Sequence, residues 1–584
     1  MTHRSHKSGA GLPAWSSFPA AIPSLLRDAP IMIGVLAIFY AFFSLTHYWL
    51  APVNARTEIS LAPSVLPQYA MYSVLRIAIS YAISLFVAIL AGYAAAYNPR
   101  VERFLIPVLD TLQSIPVLSF LPAVMLSMVA LFPTRQLGIE LGSILLIFTG
   151  QVWNMAFSFY SSLKSIPREM HEVADVYRWS WWQKFTQLEL PYATIGLVWN
   201  SMMSVAGAWF FLMACEMFVL SDQRDFRLPG LGSYLQTAAN AGDTRAIVWG
   251  LAVMIGVIIL IDQLVWRPVI AWAEKFKFEQ VEGAESARSP VLDFLRRSKV
   301  LPFVATHSTR PAGERLTVYF ARKRAAESPA QPPGTTRKLV TWIVLTAALA
   351  GVAYAALRMC VLLLGLRAPE LRAILSGAGA TFLRVELTLV LAGLWTIPVG
   401  LYVGLRPKLS AIAQPIAEIA ASVPATALFP IILLVLIRAG GGLGIGSIAL
   451  LLLGTQWYIL FNVIAGAIAL PTDLKEVCDI FHFSSYEKWR EFLLPGIFPF
   501  LITGFVTASG GAWNASIVAE YFHFKGQTFS TIGLGAVISH ATDEGNSRVL
   551  LAATIVMAAM VVTINRLVWR RLYALASTRF KLET

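Results

Sequence analysis

Charge is scarce in this sequence. Asp, Glu, Lys and Arg make up 14% of its 584 residues, where a soluble domain carries about 25%. Residues 31–50 (IMIGVLAIFYAFFSLTHYWL) contain none of the four. A helix that crosses a bilayer needs about 20 such residues. Inside lipid only helices or closed barrels satisfy the backbone. Barrel strands would read as short alternating segments, whereas these blocks are long and unbroken, so the chain is predicted to be all-α and to span the membrane many times. Cysteine is also rare. Cys215 and Cys360 lie in apolar blocks and Cys478 in a polar stretch, which gives neither a disulfide framework nor a metal-ligand spacing. No Gly-x4-Gly-Lys-Ser/Thr occurs. The glycine run Gly440 to Ser447 has no lysine to reach a phosphate and reads as an external turn. No zinc-protease motif or acid–base cluster stands in the apolar blocks. The chain is therefore expected to have no catalytic residue, metal or cofactor. Acidic residues are outnumbered, leaving a net charge of +13. In a soluble protein that would suggest nucleic acid; here basic loops on the cytoplasmic side account for it.

What is present is a duplication. SIPVLSFLP (Ser114 to Pro122) returns as SVPATALFP (Ser422 to Pro430), and LRIAIS at Leu75 returns as LRVELT at Leu383, both at an offset of 308. Further on the offset is 304: Trp153 matches Trp457, Pro167 matches Pro471, and Gly207-Ala208-Trp209 matches Gly511-Ala512-Trp513. At the end it is 303, where QLVWR at Gln263 matches RLVWR at Arg566. Each half reads as six spans, at 31–50, 72–97, 103–132, 141–163, 193–220 and 246–270, then 339–364, 381–404, 409–437, 444–470, 496–519 and 549–569. That makes about 12 in all, as two parallel repeats. The organisation expected is a first domain at 1–273, a basic linker at 274–337 and a second domain at 338–584. The linker composition indicates a flexible connector with a short helix at Val291 to Arg297. Six spans per half put the linker and both termini on one side, and the positive-inside rule makes that side cytoplasmic. The first block reads as an uncleaved span.

Between the fourth and fifth spans of each half lies a polar loop, 166–191 and 470–495. In each, a glutamate precedes the closing proline by nineteen residues, Glu172 to Pro191 and Glu476 to Pro495. Pro167 and Pro471 suit a first helical turn. Thr472 and Asp473 are candidate caps for the helix of the second loop. Ser180 with Gln183, and Ser484 with Glu487, fit a capping box. Two short helices broken near Arg178 and His482 are predicted in each loop. Both carry acids as well as bases and recur at matched positions, which argues against helices lying flat on lipid.

These loops resemble the Glu-Ala-Ala-x3-Gly-x9-Ile-x-Leu-Pro loop of binding-protein-dependent ABC importer permeases. Glu172, Ala174, Leu190 and Pro191 match, as do Glu476, Leu494 and Pro495. Cys478 stands at an alanine position. Arg178 and His482 stand at the glycine position, which favours a left-handed turn. The surroundings are similar to the nitrate, taurine and sulfonate branch: a Leu-Arg entry to the second span, a Pro-x5-Pro helix start, and Gly-x-Trp followed by Glu and then Gly-Leu-Gly. The resemblance covers nearly all of both halves. It implies the type I importer permease fold in the bacterial inner membrane, loops that dock on two ABC ATPase subunits, an external binding protein, and a small-molecule cargo such as nitrate, sulfonate, taurine or bicarbonate.

An ionisable residue in a span is a functional candidate. Glu216 follows Trp209 by seven residues and Glu520 follows Trp513 by seven, placing each pair on one helix face. They are expected either to gate the passage or to anchor helices near the outer interface. Gly207 and Gly511 are expected to admit close helix approach. Pro116, Pro122, Pro424 and Pro430 read as kinks, and Trp153 and Trp457 as packing. Met155 matches Ile459 and Ser158 matches Asn462, so the passage need not be symmetric inside. The rival reading is an ion-coupled transporter with two parallel halves, which would need buried titratable groups in mid-span.

Overall fold

The structure is a computed structural model. It describes residues 58–217, 228–276, 289–298, 306–307, 310–326, 335–438, 442–470, 472–524 and 527–579, with isolated positions between 29 and 50. The predicted span 31–50 lies mostly outside the described residues.

The first half begins with α1 (Leu66–Tyr97). Asn98 ends it and caps the next helix, α2 (Pro99–Ser114), accepting from the N–H groups of Arg100 and Val101. A turn at Val117–Phe120 and α3 (Leu121–Leu131) follow. Then come α4 (Leu137–Lys164), the loop helices α5 (Arg168–Val176) and α6 (Trp181–Lys184), and α7 (Leu190–Met217). A short α8 (Leu231–Ala241) precedes α9 (Thr244–Ile261) and α10 (Arg267–Ala273). The linker contributes α11 (Pro290–Arg297) and α12 (Arg310–Ala326).

The second half repeats the order. It runs α13 (Thr335–Leu363), α14 (Ala368–Gly404), α15 (Pro407–Ser422), α16 (Ala425–Arg438) and α17 (Leu443–Ile468). The loop helices α18 (Thr472–Ile480) and α19 (Ser485–Glu487) lead to α20 (Leu494–Ala519). After it come α21 (Leu534–Asp543), α22 (Ser547–Ile564) and α23 (Arg570–Arg579). Between α20 and α21, a two-stranded antiparallel hairpin pairs Tyr521–Phe524 with Gln527–Ser530 and is the one departure from all-α among the described residues.

Eight of the described helices are long and apolar enough to cross a membrane, or nine if one bent pair counts as a span. Each predicted third span is in fact two helices. In the first half they meet at a bend of 83° around Ile115 and Pro116; in the second, α15 gives way to α16 at Val423 and Pro424. Proline removes a donor and disfavours helix for the residue before it, so Ser-x-Pro breaks the helix where a kink was expected. Non-helical backbone at membrane depth persists only where protein or a cavity covers it.

Within each half the spans α1, α4 and α7, and their counterparts α14, α17 and α20, pack in sequence. Small residues let them approach: a Cβ on Gly400 would come within 2.7 Å of Val463 Cγ1, and one on Gly404 within 2.6 Å of the Ala467 Cβ. The halves meet across their broken helices. The Val117–Phe120 turn reaches α20, while α15 and α16 reach α7. Leu118 N–H donates to Asn514 Oδ1 at 3.4 Å across this seam. Among its described residues the linker holds two helices. The helix expected at Val291 to Arg297 is α11, capped by Ser289. Helix α12, which the composition hides, lays Phe320 against Trp181 and Trp182 with ring centroids 5.5 and 5.9 Å apart.

Candidate functional site

The polar loops fold as two matched knuckles. Ser180 Oγ accepts from Gln183 N–H while Ser180 N–H donates to Gln183 Oε1; Ser484 and Glu487 repeat the pair. Pro167 stands at the N-cap position of α5, one residue before its first turn, and Pro471 lies outside the described residues. Arg178 and His482 adopt φ of 51° and 50°, the left-handed region. The chain therefore keeps the glycine-type turn without glycine. It is closed by Trp179 N–H to Ala174 C=O at 2.9 Å and Phe483 N–H to Cys478 C=O at 3.0 Å, the bond of a Schellman ending. Ala174 and Cys478 are buried beneath each knuckle. Glu172 and Glu476 are exposed, and Leu190, Pro191, Leu494 and Pro495 form the half-buried re-entry. Around the glutamates stand apolar side chains that face outward: Val176 is 79% and Ile480 70% exposed, Tyr177 72% and Phe481 71%. On the first knuckle His171 sits where the second has Lys475; burial and the nearby Lys184 hold its pKa below the usual value.

Glu216 and Glu520 are completely buried. Glu216 accepts from Ser73 Oγ, from Arg76 and from the N–H of Gly232, each at 2.7 Å. It thus caps the start of α8, whose first N–H groups lack helical partners. A Cβ on Gly230 would fall inside the carboxylate, which explains the Gly-Leu-Gly after each glutamate. Arg76 also grips Glu140 with two bonds, at 2.6 and 2.7 Å. Glu520 repeats the design with Thr381, Arg384 and the N–H of Gly535 at the start of α21. The arginines were visible in the paired Leu-Arg motifs; matched cations facing matched carboxylates were the signal that sequence reasoning left unused. Glu386, half-buried in α14 where the first half has Ala78, was likewise passed over.

Between the halves lies a cavity of about 270 Å³. Trp209 and Gly207 line it from α7, Trp457 and Tyr458 from α17, and Ala421 and Ala425 from the broken α15–α16. Trp513, Glu216 and Glu520 are not among its described lining residues. Gly207 does not serve close approach as expected: a Cβ there would meet nothing within 4 Å.

The sequence profile of the binding-protein-dependent transport system inner membrane component matches residues 84–265 and again 396–581, more than half of the chain. Among curated proteins, the nitrate import permease of Leptolyngbya laminosa is 25% identical over 189 residues, 32% of this chain and 64% of that protein. A putative aliphatic sulfonates transport permease of Bacillus subtilis is 23% identical over 209 residues, 35% and 70%. The taurine transport system permease of Escherichia coli is 28% identical over 182 residues, 31% and 62%. The chain thus spans just under two thirds of the nitrate and taurine permeases.

Proposed function

Because the chain belongs to the binding-protein-dependent transport system inner membrane components, we propose that it is the permease of an ABC importer, with two permease domains fused in one chain. The domains are 1–273 and 338–584, joined by the linker 274–337. Each contains one of the two profile matches. Both termini are cytoplasmic. The observation that carries this reading is the pair of knuckles, each with an outward apolar crest beside an exposed glutamate. An unpaired apolar crest of this kind is an interaction surface, and two crests take two ATPase subunits. An external binding protein delivers the cargo on the other side. The relatives named for nitrate, sulfonates and taurine suggest a small oxyanion as cargo.

The test is the mass of the complex. Purified with its ATPase, one chain is expected to hold two copies by native mass spectrometry; a stable one-to-one complex overturns the fusion reading. Glu172→Arg with Glu476→Arg should abolish cargo-stimulated ATP hydrolysis while the chain still inserts. The half-buried Glu386 of α14 is an observation that favours the ion-coupled rival, and transport by purified chain without any ATPase would establish that rival.

A further inference from the structure

The two broken helices meet the seam differently. In the first half the buried start of the turn is capped from the opposite half: Asn514 Oδ1 accepts from Leu118 N–H. The matching position in the second half is Thr426, offset by 308, and the residue matching Asn514 is Phe210, offset by 304. A phenyl ring offers no acceptor. Thr426 stands in the first turn of α16, where N–H groups have no helical partner. Its hydroxyl is buried without a hydrogen-bond partner, and so is the Ser204 hydroxyl of α7. Ser204, Phe210 and Ala425 all line the cavity between the halves. Buried polar groups are normally paired; here two hydroxyls are left over, Ser204 in the cavity lining and Thr426 next in the chain to the lining residue Ala425.

We propose that this is the cargo-binding site of the passage, and that it takes a small oxyanion through the start of α16, Thr426 and Ser204. It rests on the permease reading above. A ligand oxygen would occupy the place that Asn514 Oδ1 holds in the other half. Helix starts favour negative charge, and both hydroxyls can donate to it. The described lining has no Arg, Lys or His, and its one charged residue, Asp262, is paired with Arg267 at 3.1 Å. Dipoles and hydroxyls without a fixed cation hold an anion weakly. That suits a passage, where the solute must leave as readily as it enters.

Phe210→Asn supplies the missing cap from the protein itself, and Thr426→Val with Ser204→Ala removes the hydroxyls at nearly constant volume. The full chain in lipid nanodiscs is titrated with nitrate, bicarbonate or taurine, following the fluorescence of its tryptophans, three of which, Trp209, Trp266 and Trp457, line the cavity. At least one anion should give a saturable change in the wild type, weakened tenfold or more in both variants. The same anion should drive flux in the complex with ATPase, and flux should fall as binding does. A saturable response unchanged in both variants overturns the site. If none of the three anions binds, the cargo class is overturned, even where two ATPases still dock. If anions bind but no ATPase does, it is the permease reading that fails.

Discussion

In the first half Arg76 faces two carboxylates, Glu140 and Glu216, with all three side chains fully buried. In the second, Arg384 faces Glu520 with Thr531 and Ile532 as its other acceptors, because Gly444 stands where the first half has Glu140. Arg384 is 10% exposed. The polar loops between the fourth and fifth spans differ in the same sense. The first knuckle carries Trp181 and Trp182, on which the linker helix α12 rests; the second has Ser485 and Tyr486. The comparison teaches that one half is braced at both ends and the other is held more lightly by the same scaffold.

The brace can be broken at its strongest point. Arg76→Leu strands two buried carboxylates, and removing one partner of a buried pair costs about 3–5 kcal/mol. Arg384→Leu strands one carboxylate, which keeps its bonds from Thr381 and Gly535, and should cost less. Thermal unfolding of the two variants in detergent would show the order, and an equal loss would remove the distinction. Next, Phe320→Ala should free the first knuckle from the linker at a cost of about 0.5–1.5 kcal/mol in ring contacts. Hydrogen exchange should then quicken in α6 and stay unchanged in α19.

Smaller effects test where the halves agree. Arg178→Gly should be more stable than Arg178→Ala by about 1 kcal/mol, since only glycine avoids the left-handed penalty. His482 should behave in the same way, and denaturation of the four variants decides it. The smallest effect is pH-dependent. His171 has a depressed folded pKa, so below its unfolded value of about 6.5 the unfolded state binds more protons and native α5 loses stability. Protection factors in α5, corrected for the intrinsic pH dependence of amide exchange, should therefore fall as pH falls through that range, and α18, with Lys475 in the matched place, should not follow.

Much of this was legible in the sequence, for local reasons. A capping box needs four neighbouring residues, so Ser180 and Ser484 announced their helices. The Trp-x6-Glu pairs placed both glutamates on matched spans. What the sequence hid depends on the other half of the molecule or on distant chain. Nothing near Asn514 says that it caps Leu118. The 83° bend at Pro116 needs the opposite half to cover it. Arg178 and His482 look wrong for a left-handed turn until the surrounding bonds impose it. The linker's charges concealed α12 because its single anchoring ring, Phe320, finds its partners more than a hundred residues upstream.

The pairing of Phe210 with Asn514 also bears on heredity. A permease assembled from two identical chains must put the same residue on both walls, so any change in one wall is copied into its mirror. In a fused gene each codon governs a single wall. Asparagine can then close one broken helix while phenylalanine leaves the other open, and each wall can drift under its own selection.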